Sequence, residues 1–194
     1  MREFTEDRFY TVLGRYPSCV VDYVLLAGDG LYAGVASHRK AVLSALEKLA
    51  EREGTDPFDA DPSKAKAKRI GVKDLLYCPE RPWKNENFGT VTYNSVASED
   101  GRIPYWYAFL EPPHGTGPVT EGGRIVRKRY GPEDFAAVNE ALFPRGTDRL
   151  TAYEWTTDWN GYFDDGHEWW GTGCFSVYDP DLDRYAVILA SATD

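Results

Sequence analysis

The chain has few cysteines, and none of them are spaced for metal binding or redox chemistry. Cys19, Cys78 and Cys174 are an odd number, and no two of them form a CxxC pair. This count leaves at least one thiol without a disulfide partner and argues against a disulfide framework. Cys19 and Cys174 lie in apolar, strand-like sequence, where we expect buried free thiols.

Long hydrophobic runs are also absent. The longest, Val20–Ala27 and Tyr185–Ala190 among them, fall well short of the about 20 apolar residues that a membrane-spanning helix needs. The first ten residues, MREFTEDRFY, lack the basic start and apolar region of a secretory signal. We therefore predict a cytoplasmic protein that does not associate with a membrane.

Positive charge is scarce. The sequence has 22 lysines and arginines against 31 acidic residues, which gives a formal net charge of −9. A protein that neutralises phosphates needs a basic footprint, so this balance argues against nucleic acid as a ligand. It favours a basic protein partner, whose encounter with an acidic surface is accelerated by complementary charge.

The composition is otherwise that of a globular protein. Hydrophobic residues make up 42% of the 194 residues and charged residues 27%, values typical of a folded chain. This length suits one domain that buries a core without metal or disulfide support. We find no internal repeat and no clear linker, and we predict one domain over residues 1–194.

Hydrophobic periodicity, capping residues and turn signals predict an α+β fold, with three to four helices packed on a mostly antiparallel sheet. Helices are predicted to start near Thr5, Ser37, Ser63 and Pro132. Strands are predicted at Cys19–Ala27, Leu31–Val35, Thr90–Ala97, Ile103–Leu110, Leu150–Thr157, Trp169–Tyr178 and Arg184–Ser191.

The most distinctive stretch is Tyr153–Cys174, which holds four of the six tryptophans. It mixes aromatic rings with carboxylates, although rings favour the core and carboxylates favour water. The charge is concentrated in the same region, because residues 150–194 carry nine acids and a single base, Arg184. Such a mixture indicates either a surface that a partner covers or a strand with two different faces.

Metal and nucleophile motifs do not match this stretch. An EF-hand loop fails because Tyr162 and Trp169 stand where ligands belong. The His167-Glu168 pair lacks the second histidine of a zincin motif, and no GxSxG elbow is present. Cys174 paired with His114 or His167 stays open as a nucleophile. We predict no metal, no cofactor and no catalytic residue.

A carbohydrate enzyme is the alternative. Sugars stack on tryptophan, and glycoside hydrolysis uses two carboxyl groups that flank a cleft. The sequence supplies such carboxylates beside the four tryptophans, namely Glu154, Asp158, Asp164, Asp165 and Glu168. This alternative is a hydrolase of glycosides or other polar small molecules that uses an Asp/Glu pair within residues 154–168.

Protein binding accounts for more of these features. Tryptophan and tyrosine dominate binding hot spots, and an acidic rim steers a basic partner. The predicted contacts are Asp158, Trp159, Asp164, Asp165, His167 and Glu168. In size and composition the chain resembles the immunity proteins of bacterial toxin–immunity systems. This resemblance implies an inhibitor that covers a cationic active site.

Overall fold

A computed structural model describes residues 1–17, 19–79, 96–113, 118–121, 124–127, 130–168 and 170–192. For residues 118–121 and 124–127 it describes only the backbone. The described residues form a five-stranded antiparallel sheet, a two-stranded hairpin and six α-helices. The predicted α+β class is confirmed. No helix among the described residues is long and apolar enough to cross a bilayer.

The five-stranded sheet has the order β1-β7-β6-β5-β2. Its strands are β1 (Val21–Ala27), β2 (Ala67–Ile70), β5 (Thr151–Trp155), β6 (Thr172–Asp179) and β7 (Arg184–Ser191). The separate hairpin consists of β3 (Pro118–Glu121) and β4 (Arg124–Arg127). Strands β6 and β7 pair over their whole length around a tight turn, as the Asp-Pro-Asp sequence after Tyr178 predicts.

The helices differ greatly in length. They are α1 (Arg8–Leu13), α2 (Val35–Glu53), α3 (Val72–Leu75), α4 (Tyr105–Leu110), α5 (Pro132–Leu142) and α6 (Asp164–Glu168). A 3₁₀ turn, Gly161–Phe163, leads directly into α6. Helix α2 ends at Gly54, which adopts the left-handed conformation (φ 65°) that favours glycine at this position.

Both faces of the sheet are covered. On the first face, Tyr23, Phe175 and Ile188 belong to a core with residues of α1, α4 and α5. On the second face, Val187 and Leu189 belong to a core with α2 and with the segment after β5. Successive side chains of a strand point to opposite faces. Strand β7 therefore reads as an almost unbroken apolar run, because both of its faces are buried.

Three predicted elements are wrong. The predicted strand Ile103–Leu110 is instead helix α4, which begins after Pro104 and buries all six of its side chains, so no helical stripe marks it. The predicted strand Leu31–Val35 is a loop, because Gly34 at φ 61° starts α2 there. The lysine-rich helix predicted from Ser63 is instead the edge strand β2, paired with β5. Most of the predicted strand Thr90–Ala97 lies outside the described residues.

Candidate functional site

The tryptophans of the distinctive stretch point inward. Trp155, Trp159 and Trp170 are 0%, 3% and 2% exposed. The indole N–H of Trp155 donates to Ser176 Oγ over 2.8 Å, and that of Trp159 donates to the carbonyl of Thr156 over 2.6 Å. Of the three, Trp159 is a predicted contact, and its ring is not exposed. Trp159 supports the surface from inside, and Trp169 lies outside the described residues.

The charged residues of the same stretch lie on the surface. Asp158, Asp164, Asp165, His167 and Glu168 are all exposed. They lie on the short segment that contains the 3₁₀ turn. Asn160 caps this turn by accepting a hydrogen bond from the Tyr162 N–H over 3.0 Å. The alternation of buried rings and exposed acids therefore has a simple cause. The segment covers the second core with its rings and presents its carboxylates to solvent.

A second acidic loop lies directly beside this segment. Residues 55–61 contact it through an antiparallel bridge between Ala60 and Asn160. Two backbone hydrogen bonds of 2.8 Å form this bridge: Asp61 N–H donates to the Trp159 carbonyl, and Gly161 N–H donates to the Asp59 carbonyl. The rings of Phe58 and Tyr162 meet edge to face at 5.6 Å.

The two loops together form one acidic surface, which we call the acidic face. Its members are the exposed carboxylates Asp56, Asp59, Asp61, Asp158, Asp164, Asp165 and Glu168. The first three are not among the predicted contacts, because residues 55–62 have the composition of a turn-rich connection. Three aspartates within six residues were the available signal, but nothing in the sequence indicated which part of the fold they adjoin.

A partly buried contact fastens the acidic face to the sheet. The Tyr162 hydroxyl donates to Asp22 Oδ2 over 2.7 Å, which joins the segment after β5 to strand β1. Burial raises the pKa of the Asp22 carboxyl, although the bond from Tyr162 opposes that rise. At the rim, the Ser63 hydroxyl and the ammonium of Lys64, 3.6 Å from Asp61, lower the pKa of the Asp61 carboxyl.

The arrangement does not resemble a metal centre or an activated thiol. Within the described parts of the chain, no group of three or more His, Cys, Asp or Glu side chains is placed to hold a metal ion. The three thiols are free, and burial raises the pKa of Cys19 to about 12 and that of Cys78 to about 11. Burial also raises the pKa of Cys174. His114, the other predicted partner of that thiol, lies outside the described residues.

The structure separates Glu154 from the other carboxylates of the predicted Asp/Glu set. Its neighbour Trp155 points into the second core, so Glu154 points to the first face. There its Oε1 lies 3.1 Å from Arg102 Nη1, and the side chain lines a cleft. The segment that carries Asp158 and Asp164 packs on the second face through Trp159 and Phe163.

Comparison with known proteins adds no relative. No protein-family model matches the chain, and neither a curated protein nor a solved structure gives a significant match. The acidic face brings seven exposed carboxylates of two separate segments together on one support.

Proposed function

We propose that this protein is a cytoplasmic binding domain whose acidic face recognises a basic protein partner, and that it serves as an inhibitor or immunity protein against a bacterial toxin. The observation that carries the proposal is the junction of residues 55–61 with residues 158–168. Two segments about a hundred residues apart in sequence place seven exposed carboxylates side by side.

The support beneath these carboxylates favours binding without rearrangement. Trp159 and Phe163 are buried under the loops, and Asn160 holds the intervening turn. Gly166 packs so closely against the start of β6 that an added Cβ would lie 2.4 Å from the Gly171 carbonyl oxygen. A preorganised surface loses little conformational entropy on association, which leaves more of the interaction energy for affinity.

The charge itself favours a basic partner over a neutral one. Clustered charge of one sign raises the rate of diffusional encounter with a complementary surface, and added salt reduces this effect. The net charge of −9 reinforces the attraction at long range. An inhibitor of a cationic active site benefits from both effects, since it must bind faster than the toxin finds its substrate.

The first prediction concerns charge reversal on the acidic face. The double variant Asp164→Lys/Asp165→Lys is expected to weaken binding of a decalysine peptide at low salt on the order of tenfold, because two favourable charges become repulsive ones. Calorimetry measures the affinity. Amide NMR shifts with the unaltered protein are expected to cluster at residues 55–61 and 158–168.

A matched control separates local recognition from net charge. Glu140 lies on α5, which packs on the first face of the sheet, and Asp148 lies in the loop between α5 and β5; both are exposed. The variant Glu140→Lys/Asp148→Lys changes the net charge equally and is expected to bind decalysine almost as well as the unaltered protein. Equal losses in the two double variants would contradict the proposal.

The identity of the partner requires a further experiment. A basic protein that copurifies with this chain from its own cells is expected to be retained by the Glu140→Lys/Asp148→Lys variant and lost by the Asp164→Lys/Asp165→Lys variant. Coexpression with that partner is expected to relieve its toxicity. A partner retained equally by both variants would place the interface elsewhere.

The alternative function is an enzyme or receptor for a polar small molecule. The cleft beside Glu154 favours it, because a carboxylate there lies next to apolar surface in a concave site. The acidic face is an open surface, and its described side chains include no group that could hold a metal ion. The cleft and the acidic face lie on opposite sides of the sheet, so the two functions can be tested separately.

A further inference from the structure

A cleft of about 300 Å³ opens on the first face of the sheet. Its floor is apolar and includes Ile70, Leu75, Ile103 and Phe175, contributed by four different parts of the chain. Its polar lining includes Asp74 of α3 and Glu154 of β5. Small-molecule sites share this composition, an apolar cavity with a few polar groups that fix the orientation of the ligand.

The charges around the cleft do not balance. Arg102 is the cation among the described lining residues, and two carboxylates contact it: its Nη1 lies 3.1 Å from Oε1 of Glu154, and its Nε lies 2.8 Å from Oδ2 of Asp100, which is outside the lining. Ser98 also donates to Asp100 over 2.6 Å, which holds that carboxylate on the guanidinium. Asp74, which also lines the cleft, is a third carboxylate, and no described side chain forms an ion pair with it.

We propose that this cleft binds a small primary amine with an apolar body, such as an arylalkylamine. The ammonium lies between Asp74 and Glu154, and the hydrocarbon part rests on the apolar floor. Among the described residues, Asp74, Glu154 and the neighbouring Asp100 set three carboxylates against the guanidinium of Arg102, and this excess of negative charge favours a cation and disfavours a carboxylate ligand. Glu154 Oε1 contacts Arg102, and its other oxygen accepts a hydrogen bond from the ammonium.

The dimensions and the walls restrict the ligand further. A cavity of about 300 Å³ holds one ring and a short chain and lies at the small end of the range for ligand sites. The Tyr105 hydroxyl is not available to a ligand, because it donates to Asn139 Oδ1 and lies 2.8 Å from the Tyr23 hydroxyl in the core. Recognition of the polar end therefore depends on the carboxylates.

Three probes with the same aromatic ring test the proposal: phenethylamine, 2-phenylethanol and phenylacetate. Phenethylamine is expected to bind with millimolar affinity, as fits a fragment of this size. It is expected to shift the methyl NMR signals of Ile70, Leu75 and Ile103. The alcohol is expected to bind more weakly and phenylacetate more weakly still. Phenylacetate binding as tightly as the amine, or amine shifts that cluster outside the cleft, would overturn the proposal.

Two variants test the carboxylates. Asp74→Asn and Glu154→Gln are each expected to weaken phenethylamine on the order of tenfold, the cost of losing one charge-assisted hydrogen bond. Asp74→Asn leaves Arg102 with both of its carboxylates, so it keeps the test valid if Glu154→Gln disturbs the fold. Unchanged affinity in a folded Asp74→Asn protein would contradict the assigned position of the ammonium.

The variant Asp164→Lys/Asp165→Lys serves as the control for this site. It alters the acidic face and is expected to leave phenethylamine affinity within about twofold, because screening limits the reach of distant exposed charges. Conversely, Asp74→Asn is expected to leave decalysine binding unchanged. Failure of the cleft proposal is thereby distinguishable from failure of the proposed function.

Discussion

Replacing Trp155 by alanine is expected to lower the free energy of unfolding by about 3–5 kcal/mol, the usual cost of truncating a large buried aromatic ring. The indole is 0% exposed and belongs to the second core. The guanidinium of Arg39 also lies 5.4 Å from its ring centroid, and Arg39 donates to the carbonyls of Pro62 and Ala65. Urea denaturation measures the change.

The conservative variant Trp155→Phe separates packing from hydrogen bonding. It keeps most of the buried ring and removes the N–H donor to Ser176, so we expect a loss of about 1–2 kcal/mol. Because Arg39 holds the chain after the acidic loop, Trp155→Ala is also expected to weaken decalysine binding. A loss in Trp155→Ala no larger than in the exposed control Glu47→Ala would contradict this account of the second core.

Stability is expected to fall as the pH is lowered from 6.5 to about 4, because of one buried imidazole. His38 is 0% exposed, and burial lowers its pKa to about 4, although Ser176 opposes the shift. Its Nδ1 lies 2.9 Å from Ser176 Oγ and its Nε2 lies 3.2 Å from the Tyr32 hydroxyl. No described charged side chain contacts the ring.

Stability falls at low pH because the unfolded chain takes up a proton that the folded protein does not. Between pH 6.5 and 4 the unfolded chain protonates this histidine and the folded protein does not, so protons favour unfolding. The stability that the neutral imidazole contributes above pH 6.5 is lost progressively as the pH falls, and this loss reaches about 3 kcal/mol near pH 4. The raised pKa of Asp22 acts in the opposite sense, since the folded protein then takes up its proton more readily.

The neutral variant His38→Gln isolates this histidine. Denaturation at a series of pH values is expected to show the unaltered protein losing stability relative to His38→Gln as the pH falls through this window. Above pH 7 the unaltered protein is expected to be the more stable of the two, because the imidazole fits its contacts with Tyr153 and Tyr185. Parallel pH curves for the two proteins would contradict a neutral buried imidazole.

The sequence predicts those parts of the fold that carry a local signal. Strands β6 and β7 have β-branched and aromatic residues on either side of an Asp-Pro-Asp turn, and α5 begins with Pro132 and two acids. Helix α4 lacks such a signal, because every residue of Tyr105–Leu110 is buried and the run reads equally well as a strand. Its helical form depends on tertiary packing.

The sequence likewise predicts only those features of the candidate site that depend on local residue chemistry. Exposure of Asp158, Asp164 and Asp165 follows from their polarity, and the structure agrees. The orientation of Trp159 could not be predicted, because an indole suits a binding surface as well as a core. Neither could the junction with residues 55–61, since it depends on backbone bonds between distant segments. The cleft escaped prediction for the same reason, as its lining comes from several separate elements.

The pairing of β1 with β7 has a consequence for biosynthesis. Val21 lies opposite Ala190, so strand β1 pairs with a strand that is synthesised about 160 residues after it. Until then the emerging chain exposes Val24, Leu26 and the apolar side of α2, which the finished sheet buries. Such long-range closure makes folding slow and leaves the nascent chain prone to aggregation. We expect recombinant yields to improve when the ribosome is slowed by cooling or when a chaperone is supplied.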